Sequence, residues 1–216
     1  GGALQLALQG VDVRLAPELA PLSFRRLTGR LSLDHRADQT GLAFEQLAFE
    51  LTDGLSWPAS EGRLVWRHAS DPLVDVAKAW HQTRGGQAQA EHLDLALLAR
   101  VADRLPLALA HRQLLQELAP QGVVSDLDLS WEGAATAPSR YRVKARVQGL
   151  GLAESREGMR PGLAQADVMV SATDAGGRAD LAMKQGWLSF PGVFEEPRIP
   201  LDRLDARVEW SRQPGG

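Results

Sequence analysis

A chain of 216 residues, 44% hydrophobic and 24% charged, is long enough for one large β domain or two small ones and too apolar to stay disordered. Its net charge of −3 comes from 24 basic and 27 acidic residues spread along the sequence, with no concentrated basic run to displace counterions from phosphates, so nucleic acid is not an expected partner. Cysteine is absent, which excludes disulfides, thiol nucleophiles and cysteine-ligated metals without fixing a compartment.

The chain begins at Gly1 and closes on Pro214-Gly215-Gly216, as expected of an internal piece whose targeting signal or membrane anchor lies outside it. Its longest purely apolar runs, such as residues 95–99, fall far short of the roughly 20 residues that span a bilayer.

From the N-terminal side the dominant pattern is period-two alternation between turn residues, the mark of strands with one buried face. Leu27, Gly29, Leu31 and Leu33 alternate with Thr28, Arg30, Ser32 and Asp34. Leu42 and Phe44 share one parity and Leu47, Phe49 and Leu51 the other, a phase slip that a bulge near Glu45-Gln46 repairs. After a turn at Thr52-Asp53-Gly54, Leu64 and Trp66 alternate with Arg63, Val65 and Arg67. Residues 71–93 read two ways. Asp71 and Pro72 open a helix carrying Leu73, Val76, Ala77 and Trp80, or a strand pair turns at Gly85-Gly86. The strand pair is preferred, because Gln87-Ala88-Gln89-Ala90 then continues into Leu93 and Leu95.

Helix is expected in two places: one with Leu97, Leu98, Val101 and Leu105 on a single face, and a shorter one grouping Leu114, Leu115 and Leu118 ahead of Pro120 and Gly122. Strands then resume. Val123, Leu127, Leu129 and Trp131 share a face broken by Ser125, with Asp126, Asp128 and Ser130 opposite. Tyr141, Val143, Ala145 and Val147 oppose Arg140, Arg142, Lys144, Arg146 and Gln148. A glycine-containing turn at 174–177 joins 166–172 to 178–184 as a hairpin. Leu204, Ala206, Val208 and Trp210 oppose Arg203, Asp205, Arg207 and Glu209, as an antiparallel sheet wet on one side requires. The apolar set also includes Phe190 and Phe194, around Pro191-Gly192. The fold expected is mainly β with two short helices: N-terminal strands over 1–94, a two-helix insertion over 95–120 and C-terminal antiparallel strands over 121–216. Tryptophans close strands at Trp66, Trp131 and Trp210, but their unequal spacing does not support a rigid repeat.

Catalytic patterns are missing. His35, His68, His81, His92 and His111 never fall at a metal-ligand spacing and are expected to face solvent or cap elements, so no metal and no cofactor is expected. There is no nucleophile elbow and no phosphate loop, and Gly149-Leu150-Gly151 and Gly85-Gly86 read as turns. Asp126 and Asp128 lie about 6–7 Å apart along one strand face, a separation seen in glycosidase acid/base pairs and also on the wet face of any amphipathic strand. The second reading is the one preferred, and Glu195-Glu196 is read as a solvated loop.

The stretch Leu95-Ala96-Leu97-Leu98-Ala99-Arg100-Val101-Ala102-Asp103-Arg104-Leu105-Pro106, followed by Leu114-Leu115-Gln116-Glu117-Leu118-Ala119-Pro120 and Ser125-Asp126-Leu127-Asp128-Leu129-Ser130-Trp131, resembles the central part of the YhdP branch of the AsmA-like proteins of Gram-negative bacteria. The likeness runs on through 141–150, Pro161-Gly162-Leu163, the Leu188–Pro197 stretch and 204–210, takes in Trp57-Pro58-Ala59-Ser60 upstream, and is weakest before about residue 25. The resemblance implies a periplasmic, inner-membrane-anchored protein of great length. Its body is a curved antiparallel sheet forming an open groove, associated with moving phospholipid between inner and outer membranes, and it brings no catalytic residues.

On that reading the groove lining is Leu127, Leu129, Trp131, Tyr141, Val143, Val147, Val168, Val170, Leu181, Met183, Leu204, Val208 and Trp210. The expected partners are phospholipid acyl chains, neighbouring segments of the same long chain and other envelope proteins. An alternative keeps the apolar face as a closed core, giving a structural or interaction module without lipid contact.

Overall fold

The computed structural model describes residues 1–17, 19–68, 83–105, 107, 109–155 and 160–212. Eleven strands are present: β1 (Gly2–Val13), β2 (Leu22–His35), β3 (Gln39–Leu51), β4 (Ser56–His68), β5 (Thr83–Glu91), β6 (Leu93–Asp94), β7 (Gln121–Ala134), β8 (Ala137–Leu152), β9 (Gly162–Thr173), β10 (Gly176–Ser189) and β11 (Arg198–Ser211). Between β6 and β7 come α1 (Leu95–Val101), a 3₁₀ turn (Ala102–Arg104) and α2 (Leu109–Leu118). All strands belong to one antiparallel sheet in chain order, with β5 hydrogen-bonded to β7 and β6 pairing with the far end of β7. β1 and β11 form its two edges, so the sheet is open and not closed into a barrel.

Local chemistry sets the breaks. At the β3–β4 turn Asp53 accepts a hydrogen bond from the Leu55 N–H (3.1 Å), and Gly54 takes the left-handed conformation. Asp94 caps α1 by accepting from the Leu97 N–H at 2.9 Å, so the chain turns helical at Leu95 and does not continue as the expected strand. The hairpin between β9 and β10 turns at Asp174-Ala175, as the glycines after it suggest. The phase slip in β3 is a bulge, with Gln46 at φ 51° and the β3–β4 register shifting between Phe44 and Leu47.

Three expectations need correction. Gly85-Gly86 is not a turn: β5 runs straight through it, paired to β4 and β7, while the helix alternative and most of the proposed strand partner at 71–82 lie outside the described residues. Gly149-Leu150-Gly151 is likewise inside β8, where Gly149 (φ 61°) sits at a bulge. In β7, the register shift between Val124 and Asp126 leaves Ser125 as the extra residue. Val124, not Val123, then joins the apolar face opposite Val147, and Val123 pairs with Gln148.

The core lies at one end of the N-terminal strands. Leu22, Phe24, Leu51, Leu55 and Trp57 cluster with Val101, and Leu97, Leu98 and Leu105 pack against them. Phe24 meets Phe49 edge-on and Phe49 stacks on Trp57. α1 therefore covers part of the apolar face with the apolar side read from its spacing. The Arg104 guanidinium ties it to Asp53 in the β3–β4 turn. α2 is held to the β8–β9 connection, where Ala153 N–H donates to the Leu118 carbonyl (2.7 Å) and Arg160 bonds both the Glu117 carboxylate and its carbonyl.

Candidate functional site

The ladder register assembles the alternating strands into continuous apolar rows. One row crosses ten strands: Gly2, Leu33, Leu42, Leu64, Ala88, Leu129, Val143, Ala172, Gly177 and Trp210 are successive cross-strand partners. The next same-face row is Leu4, Leu31, Phe44, Gly62, Ala90, Leu127, Ala145, Val170, Ala179 and Val208. Trp131 opposite Tyr141, the Val147–Val168–Leu181 row, and Met183 opposite Leu204 belong to the same face. All thirteen residues named as groove lining thus share one side of the sheet. The expectation missed the rows' continuation into β1–β5, although Leu4, Leu6 and Leu8 alternate there with Gln5, Ala7 and Gln9. Phe190 and Phe194 lie in the segment between β10 and β11 and pack on each other edge-on.

Aromatic rings are laid over glycines on this face. Phe44 lies opposite Gly62, Trp131 opposite Gly86 and Trp210 opposite Gly177. A Cβ at Gly62 or Gly177 would come within 2.5 Å of the ring, and one at Gly86 would collide with Trp131. Each glycine gives a large ring room to lie against the neighbouring strand, so aromatics and aliphatics form a smooth surface.

Cover differs along the face. The principal packing partners of β8–β11 are their ladder neighbours, and burial is confined to residues such as Ala166, Ala172, Met183 and Ser189. Val208 and Trp210 are 56% and 43% exposed. Val143, Val147, Val168, Val170, Leu181 and Leu204 are partly open, whereas Met183 is buried beside Gly186. At the other edge Leu4 is 61% exposed.

Where β2, β3 and β4 approach the turns opposite the helices, the apolar face ends in a polar cluster. The Thr40 hydroxyl lies 2.8 Å from His35 Nδ1 and 3.1 Å from His68 Nε2, and the two imidazoles stack. His68 is only 3% exposed, so it is a buried structural histidine and not the solvent-facing one expected.

The opposite face carries the charges. Arg63, Gln89, Asp128, Lys144, Ser171, Arg178 and Glu209 follow one another across seven strands. Asp180 accepts from both Arg207 and Arg178, each at 2.6 Å, and these hydrogen bonds hold its carboxyl below the usual aspartate range. Asp126 pairs with Arg146 at 3.7 Å and Asp128 accepts from Gln89 at 3.4 Å. The carboxylate pair is thus woven into an ion-pair surface. No group of three or more potential metal ligands forms among the described residues, and no helix is long and apolar enough to cross a membrane.

A family model described as YhdP protein matches residues 1–216. The chain belongs to the YhdP family. The match takes in the stretch before residue 25, where the likeness read from the sequence is weakest. No curated protein and no solved structure matches the chain.

Proposed function

We propose that this YhdP-family chain is a non-enzymatic, lipid-conducting groove segment of an envelope-spanning protein that moves phospholipid between inner and outer membranes. Its apolar rows carry acyl chains and its charged face stays in periplasmic water, with the inner-membrane anchor outside the segment. The observation that carries the reading is the pair of apolar rows running unbroken over ten strands, with Val143, Val170, Val208 and Trp210 left partly or well exposed over β8–β11. A large exposed apolar surface calls for an occupant.

The energetics fit that occupant. At about 0.8 kcal/mol per CH₂, exposing a 16-carbon tail to water costs on the order of 13 kcal/mol, so a lipid between bilayers needs shielding along its whole route. Nine strand spacings of about 4.8 Å carry the rows roughly 43 Å, well beyond the ~15 Å that one tail occupies in half of a hydrocarbon core. Aliphatic side chains and flat-lying rings grip no particular atom of the tail, which favours sliding over capture. The partners on this reading are acyl chains, the adjoining segments of the same long chain, and other envelope proteins. The closed-core alternative draws on one observation, the packing of α1 on Phe24, Leu51 and Trp57, which makes the helix-covered end a small ordinary core.

Native mass spectrometry and solvent extraction of the gently purified chain test the proposal. Co-purifying phospholipid is expected, and photocrosslinking at Val170 should label it. Val143→Asp should abolish that label while leaving the circular-dichroism spectrum intact. Lipid-free protein together with absent crosslinks would rule out direct lipid contact here.

A further inference from the structure

The charged face holds a trough with a cavity volume of about 750 Å³, lying over β4, β5, β7 and β8. Arg63 and Arg67 of β4 stand on one bank, Arg140 and Arg142 of β8 on the other. β5 and β7 run between them, so the banks are three strand spacings apart, about 14 Å. Gln87 and Ser130 join Val65 to Arg142 in one register row, and Gly85 and Glu132 join Arg67 to Arg140 in the next, with the Arg67 guanidinium lying over Gly85. Guanidinium-bearing side chains therefore flank a polar floor.

Charge pairing singles the trough out. Arg146, Arg178, Arg203 and Arg207 on the same face each have a carboxylate within ion-pair distance. Among the described residues Arg63, Arg67 and Arg142 have none, and only Arg140 is paired, to Glu132 at 3.5 Å. Glu132 and Asp174 are the acidic side chains of the lining, against four arginines.

We propose that this trough binds a phosphate-bearing anion. Guanidinium presents a planar fork of donors that matches phosphate oxygens two at a time, and arginines on both banks can engage one multivalent anion from opposite sides. The trough is on the reverse of the sheet from the apolar rows, so a lipid whose tails lie in those rows does not bring its headgroup here. The anion is either a free phosphate compound or the headgroup layer of a separate bilayer surface. The site is independent of the lipid-conducting reading.

Isothermal titration calorimetry of the whole chain with inorganic pyrophosphate, and flotation with phosphatidylglycerol vesicles, separate the two sources. Binding to at least one is expected. The double variant Arg63→Gln, Arg142→Gln should weaken it at least tenfold, while Arg203→Gln, which removes a paired arginine outside the trough, should leave it unchanged. Pyrophosphate binding assigns a free phosphate compound, and vesicle binding alone assigns a headgroup. Both charge-removal variants alter exposed side chains, and equal thermal midpoints will verify folding. Failure to bind either probe, or equal weakening by Arg203→Gln, overturns the proposal.

Discussion

Two halves of one sheet use the same alternating code and reach different packing states. Strands β2–β4 bring Leu22, Phe24, Leu51 and Trp57 under α1 and bury them. Strands β8–β11 present Val143, Val170, Leu181 and Val208 on the same side, where they stay partly or well exposed. What differs is not strand length, since the strands of both halves run 12 residues or more. The difference is the two-helix segment, which enters between β6 and β7 and lays α1 over the β2–β4 end. A sheet face is thus made into core or left as surface by what happens to reach it.

The largest effect should come from testing that contrast by truncation. Leu51→Ala, at a side chain only 1% exposed, should cost about 2–5 kcal/mol, while Leu181→Ala on the open half should cost clearly less, as measured by urea denaturation. Equal losses would show that the open half is as tightly packed as the capped one.

A smaller effect is expected from Gly86→Val, which forces Trp131 off the strand beside it. Overpacking of this kind costs about 1–3 kcal/mol and should also lower lipid crosslinking near Leu129.

The smallest concerns the tie between helix segment and sheet. The hydrogen bond from Arg104, with that from the Leu55 N–H, holds the Asp53 carboxyl below its ordinary value of 3.8. A carboxyl whose folded pKa is depressed stabilises the fold above the unfolded value and loses that contribution as pH falls through the folded one. Amide exchange in α1 should therefore quicken below about pH 3.8, and Asp53→Asn should quicken it at neutral pH. Exchange that is the same in the variant and the parent at pH 7 would detach Asp53 from the cap.

Much of the apolar face was legible in residue order alone. Period two in 141–147 and 204–210 fixes which side chains share a face, because neighbouring strand residues point to opposite sides by geometry. The same logic found the bulge near Gln46 and the apolar side of α1. Glycine was harder to read. Gly85-Gly86 has the composition of a turn, yet its role is to make room for Trp131, which follows 45 residues later, and for the close approach of Arg67. His68 was misplaced for a similar reason: its burial depends on Thr40 and His35 across two ladders.

Local periodicity therefore determined the strands, their two-faced character and the helical apolar stripe. Tertiary structure decided which part of that face α1 covers and which glycines serve aromatic rings. It also gathered Arg63, Arg67, Arg140 and Arg142, dispersed in a chain without a basic run, around one trough. The physical reason is that alternation is set within a strand, whereas cover, close approach and summed charge depend on which distant strands the ladder brings side by side.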